Sequence, residues 1–156
     1  MRATLVILAW LAAAPAYADC DHFKWSVAKE RALFEAAPAS LPATGSAAEP
    51  GRGYALALGK DVKLPVAPER APKPDRFAAV VSLPKLEAGV YQITLSEEAW
   101  IDVAADGALV KSIDFSGQTD CPGVRKSVRF KLAGPVSVEF SNATSEKLMF
   151  VVLPAN

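Results

Sequence analysis

A chain of 156 residues with 17 Lys and Arg against 17 Asp and Glu, 51% of it hydrophobic, is the size of one domain with a real core. The even charge balance excludes the strong basic excess by which nucleic-acid binders are recognised, and it offers no electrostatic hold on a membrane surface. A single histidine, His22, cannot furnish the two or three imidazoles on which catalytic zinc and non-haem iron sites draw.

Residues 1–18 read as a secretion signal. Arg2 supplies the positive start, Leu5 to Ala14 form an apolar stretch, Pro15 breaks it, and Ala16-Tyr17-Ala18 presents small residues to signal peptidase. Cleavage after Ala18 gives a mature chain beginning at Asp19. The apolar run is shorter than the roughly 20 residues of a spanning helix. Asp19 before Cys20 does not suit lipoprotein processing, which wants a small residue there. The expected product has no membrane span and resides in the periplasm or outside the cell. Loss of Arg2 leaves its net charge at one negative.

Cys20 and Cys121 both lie in the mature chain, and an even pair in an oxidising compartment predicts a disulfide. It would close a loop of about 100 residues, worth up to about 4.7 kcal/mol in the chain-entropy account. The alternative, two free thiols for redox or metal work, lacks the Cys-x-x-Cys spacing such sites use.

Trp25 to Ala37 predicts the one helix, rich in Ala, Glu, Lys, Arg and Leu, with Ser26 as N-cap and Pro38 as its end. Val27, Arg31 and Phe34 share a side that can dock on a sheet. Residues 38–53 read as a loose linker rich in proline and alanine. Tyr54, Leu56 and Leu58 alternate as a strand, with Val62 to Val66 pairing back across Gly59-Lys60-Asp61. Residues 65–76 are proline-rich and irregular, or an edge.

From Phe77 onward short apolar runs recur at about ten-residue intervals: Phe77–Leu83, Val90–Leu95, Trp100–Ala105, Ala108–Phe115, Val124–Leu132, Val136–Ser141 and Leu148–Leu153. Asp106-Gly107 is a two-residue hairpin turn signal. The pattern predicts a mostly β protein, an antiparallel β-sandwich of jelly-roll type with one N-terminal helix. The expected divisions are 1–18 signal peptide, 19–53 helix and linker, and 54–156 sandwich.

Chemistry-bearing sets are sparse. No nucleophile elbow occurs, and Phe115-Ser116-Gly117 reads as a strand end and turn. Cys20-Asp21-His22 would chelate a metal only with cleavage after Asp19 and a free Cys20. Asp102 and Asp114 flank the Asp106-Gly107 turn, but counting from the turn sets Asp102 opposite Lys111, a cross-strand ion pair. Arg125, Ser127, Arg129 and Lys131 form a basic face on one strand, with Glu139 brought near it across Gly134-Pro135. If Ile101 and Val103 point inward, Trp100 and Asp102 point outward together, an aromatic and a carboxylate of the kind carbohydrate binders use. Asn142-Ala143-Thr144 matches a glycosylation sequon and reads as a turn.

The run Gly89-Val90-Tyr91-Gln92-Ile93-Thr94-Leu95, followed by Trp100-Ile101-Asp102-Val103 and Asp106-Gly107, resembles the bacterial prepeptidase C-terminal type of β-sandwich over about 65 residues. The resemblance implies a jelly-roll-like accessory module; that family's acidic, calcium-type cluster is not evident in this chain. The mature chain, with Cys20, the segment Trp25 to Phe34 and the loop Asp114 to Cys121, also resembles short exported proteobacterial proteins of unassigned activity. Some of those carry a homogentisate dioxygenase label. That activity would imply iron held by two histidines and a glutamate, which one histidine contradicts.

The expectation is a non-catalytic exported module binding a glycan, a peptide or an envelope protein, with no cofactor or metal. Trp100, Asp102, Arg125, Arg129 and Lys131 are the candidate binding residues. The rival is an enzyme, either a metal-dependent oxygenase or a hydrolase using carboxylates, with His22 and Asp102 at stake.

Overall fold

The structure, a computed structural model, describes residues 18–155; the signal-sequence reading falls outside these except at Ala18. A 3-10 turn (Ala18–His22) and one helix, α1 (Ala28–Glu35), precede the strands. The first sheet contains β1 (Ala39–Leu41), β3 (Gly53–Ala57), β5 (Gly89–Leu95), β8 (Ser112–Gly117), β9 (Lys126–Leu132) and β11 (Lys147–Pro154). The second contains β2 (Ser46–Ala47), β4 (Phe77–Leu83), β6 (Trp100–Ala105), β7 (Ala108–Leu109) and β10 (Val136–Ala143). Their orders are β1-β3-β11-β5-β9-β8 and β2-β4-β10-β6-β7, so β7 and β8 are free edges. The long pairings are antiparallel, whereas the short strands β1 and β2 join β3 and β4 in parallel. The fold is the β-sandwich with one helix that the alternation implies.

Period-two patterning places the core between the sheets. Ile93, Leu95, Ile101, Val103, Val138 and Phe140 are among the side chains packed there, with Phe140 and Phe150 ring centroids 5.1 Å apart. A second apolar cluster fills the space between α1 and the outer face of the six-stranded sheet, joining Phe23, Val27, Phe34, Val124, Val151 and Leu153. The β11 run from Leu148 to Leu153 is therefore continuous: Phe150 and Val152 face the sandwich core, Val151 and Leu153 the helix. Cys20 and Cys121 form a disulfide that fastens the N-terminal segment over this second cluster.

Beneath α1 a polar chain continues the clamp. The wholly buried Glu30 accepts from Gln92 Nε2, and Gln92 Oε1 accepts from Arg129 Nε at 3.3 Å and Nη2 at 3.1 Å. The Arg129 guanidinium lies 4.0 Å from the centre of the Trp25 ring, whose Nε1 donates to Ser127 Oγ at 3.1 Å. At Gly53 a Cβ would come within 2.6 Å of the Leu33 carbonyl oxygen, so only glycine lets the helix backbone approach β3 so closely.

Several sequence expectations change. The helix is shorter than Trp25 to Ala37: Val27, not Ser26, is its N-cap, and Ala37 adopts a left-handed φ of 54° ahead of Pro38. The stretch 38–53 contributes β1 and β2; backbone pairing on edge strands needs little side-chain patterning, so composition alone conceals it. Val62 to Val66 do not pair with β3. Residues 62–76 instead run as an irregular strap over the outer face of β6 and β10, because Pro65, Pro68, Pro72 and Pro74 lack the N–H groups of a ladder. The single strand expected over Ala108 to Phe115 is two. β7 closes the hairpin on β6 through Asp106 and Gly107, both at positive φ as a type I′ turn requires, and the chain then crosses to the other sheet as β8.

Candidate functional site

Alternation along β6 turns Ile101 and Val103 inward and Trp100 and Asp102 outward, and the neighbouring β10 does the same with Glu139 and Ser141. Asp102 and Glu139 are direct cross-strand partners. Two carboxylates side by side on a sheet face repel, and the strap lies over them. Its backbone N–H groups satisfy the acids: Val66 N donates to Glu139 Oε1 at 2.9 Å and Glu69 N to Asp102 Oδ2 at 3.2 Å. Trp100 Nε1 supplies the other Asp102 oxygen at 3.0 Å. Asn142 sits at a β-bulge with φ 53°, and its amide accepts from Lys73 N at 2.7 Å and donates to the Ala71 carbonyl at 3.2 Å. Bulge and carboxylates thus fix the strap at three points.

Burial raises the Asp102 carboxyl above the usual range against the lowering effects of the Trp100 and Glu69 hydrogen bonds; the Glu69 charge adds to the rise. Burial likewise raises Glu139, with the Asp102 charge adding and the Val66 N–H opposing. Glu139 Oε2 and Ser141 Oγ are buried without a partner.

Where the strap passes β6 it forms one wall of a cleft of about 470 Å³, within the size range of small-ligand sites. Ile101 from one sheet and Val128 and Phe130 from the other form its apolar floor, with Val110 at the crossover between them. Five cations line it, Arg70, Lys73 and Arg76 from the strap and Arg125 and Lys126 at the start of β9, against Glu69, Glu98 and Asp102. Trp100 is central: the Arg70 guanidinium lies 3.9 Å and the Lys126 ammonium 4.4 Å from its ring centre. Burial pulls the Lys126 ammonium below its ordinary range, and the charges of Arg70 and Arg125 pull the same way.

Of the candidate binding residues, Trp100, Asp102 and Arg125 line this one cleft. Arg129 does not; it is engaged beneath α1 with Gln92 and Trp25, because its parity on β9 faces the helix. Lys131 lies on that same outer face, exposed, opposite Val90. Lys111 never opposes Asp102, since β7 ends at Leu109 and the chain leaves for the other sheet; the cross-strand partner of Asp102 is Glu139. Glu139 is not near the basic face of β9, because β9 and β10 belong to different sheets and Gly134-Pro135 is a crossover rather than a hairpin. Asp114 is remote from Asp102 in the ladder. It bonds Lys24 Nζ at 2.6 Å, which is the first cause of its lowered pKa. Asn142 is a bulge within β10 rather than a turn.

Arg70, Lys73, Arg76 and Lys126 were not among the candidates. Lys126 was legible, since it shares parity with Val128 and Phe130 and so is a cation on the core-facing side of its strand. The strap cations were not, because a proline-rich segment carries no periodicity to aim a side chain. Among the described residues no three His, Cys, Asp or Glu side chains gather as a metal-holding group. No helix among them is long and apolar enough to cross a membrane. No protein-family model, curated protein or solved structure matches this chain.

Proposed function

We propose that this is an exported, non-catalytic binding module whose recognition site is the cleft at Trp100, and that its partner in the cell envelope is anionic. The carrying observation is the Arg70–Trp100–Lys126 stack at a cleft with an apolar floor: two cations face an aromatic ring and three further cations stand around it. Export is supported by the signal pattern of residues 1–18 together with the Cys20–Cys121 pairing, which suits an oxidising compartment.

A neutral glycan stacking on Trp100 would compete with Arg70 and Lys126 for the ring. An acidic glycan, peptide or envelope component would pair with them instead. Asp102 and Asp114, the carboxylates weighed for a hydrolase, stand on different sheets, and Asp102 and its cross-strand neighbour Glu139 already accept strap amides, with Glu139 wholly buried. That is the arrangement of a structural clamp.

The test is titration calorimetry of residues 19–156 with polygalacturonate, polyglutamate and lipopolysaccharide, with neutral dextran as control. Saturable binding to at least one polyanion, weakened by raised salt and by Arg70→Ala, is expected. Absence of binding to every anion, or binding unchanged in Arg70→Ala, sinks the reading.

A further inference from the structure

The chemistry of the cleft narrows its ligand further. Arg70, Lys73, Arg76, Arg125 and Lys126 take part in no ion pair among the described residues, whose ion pairs are Lys24–Asp114, Arg31–Glu35 and Lys60–Asp75. Five cations stand there against three acids, Glu69, Glu98 and Asp102, and that excess calls for an anion. The floor beneath them is aliphatic and aromatic, built from core-facing side chains of both sheets, and Phe115 at the β8 edge extends it outward with 62% of its surface exposed. Val110 beside the crossover is half-buried, so an apolar ledge stays open along this side of the cleft.

Two other occupants fit less well. A peptide adding as a strand to β8 needs free edge N–H groups, but the Phe115 N–H is taken by Asp114 Oδ1 at 2.8 Å, and Lys24 sits over the Phe115 ring at 5.5 Å. An acidic sugar would satisfy the cations and leave the open apolar side chains of Val110 and Phe115 uncovered.

We infer that the cleft takes an anionic amphiphile: one alkyl or acyl chain lies against Val110 and Phe115, over the buried Val128 and Phe130, and its carboxylate or phosphate meets Arg70, Arg125 and Lys126. The inference rests on the cleft being the binding site. The head group is either a free carboxylate or a phosphoester.

Calorimetry with octanoate, decanoate, decyl phosphate, decyl maltoside and inorganic phosphate, each below its micellar concentration, tests it. The disulfide-intact protein should bind the charged chains, with affinity rising by up to about fourfold per added methylene. Decanoate against decyl phosphate separates the two head groups, and the tighter binder names the source. Lys126→Ala should weaken binding at least tenfold at every chain length. Val110→Phe, which fills the floor with another apolar side chain, should abolish the dependence on length; a circular-dichroism melt establishes that it folds. Equal affinity for octanoate and decanoate overturns the inference, as does decyl maltoside binding as well as decanoate. If polygalacturonate binds while the alkyl series does not, the cleft reading stands and the amphiphile falls. If no anion of any kind binds, both fall.

Discussion

Glu139→Gln is expected to stabilise the protein near neutral pH. Glu139 is wholly buried, its Oε2 has no partner, and its cross-strand neighbour is the carboxylate of Asp102. Burial, aided by the Asp102 charge, lifts its pKa, so the folded chain holds this proton more tightly than the unfolded chain does. The sign follows by linkage: the stabilisation from protonation is complete below the unfolded pKa and is lost as pH rises through the folded one. Asp102, also raised, acts in the same direction.

Glutamine keeps an oxygen for the Val66 N–H and removes the charge. An unpartnered buried polar atom costs about 1–3 kcal/mol, and the new amide N–H₂ needs a partner of its own, so the lower end applies. A gain of about 1 kcal/mol at about pH 7 corresponds to a rise in Tm of roughly 3–4 °C for a domain of this size. Melts followed by circular dichroism at about pH 7 and pH 5 measure it. The wild type should be more stable at the lower pH, and the variant should show a flatter dependence. A variant less stable than wild type at neutral pH, or one with the wild-type pH slope, refutes the reasoning.

Gly53→Ala places a methyl 2.6 Å from the Leu33 carbonyl oxygen and should cost about 1–3 kcal/mol by forcing α1 from β3, read as a lowered Tm. Reduction of Cys20–Cys121 releases a closure of 101 residues and should remove up to about 4.7 kcal/mol; a melt unaffected by reductant contradicts this. Asn142→Ala removes two hydrogen bonds to the strap and should speed proteolysis within residues 62–76, leaving cleavage elsewhere unchanged. Arg129→Ala leaves Gln92 Oε1 and the Trp25 ring without their cation, so it should lower stability while ligand binding at the cleft is unaffected.

The sandwich was legible because its principal strands are patterned for two environments. The strictly alternating runs, Val136–Phe140 foremost, gave element and facing together. The Asp106-Gly107 turn set the pairing of Ala105 with Ala108 but not of Asp102 with Lys111, while the facing of Trp100 with Asp102 followed from the parity of Ile101 and Val103. What escaped was set by the path between elements. Strand alternation does not say which sheet a strand joins, so Glu139 was referred to β9 when its neighbour is β6. A basic row on β9 does not reveal that α1 covers it, which is why Arg129 looked available. The strap is held by side chains accepting its amides, a form of order with no period in sequence.

Native mass spectrometry of the protein recovered from its own envelope compartment, wild type beside an Arg70→Ala, Lys126→Ala double variant, tests the binding site most directly. The expected result is a wild-type chain starting at Asp19, two mass units light for its disulfide, with an acidic molecule bound that the variant lacks. The same molecule retained by the variant, or a neutral one in its place, would contradict the assignment of this cleft.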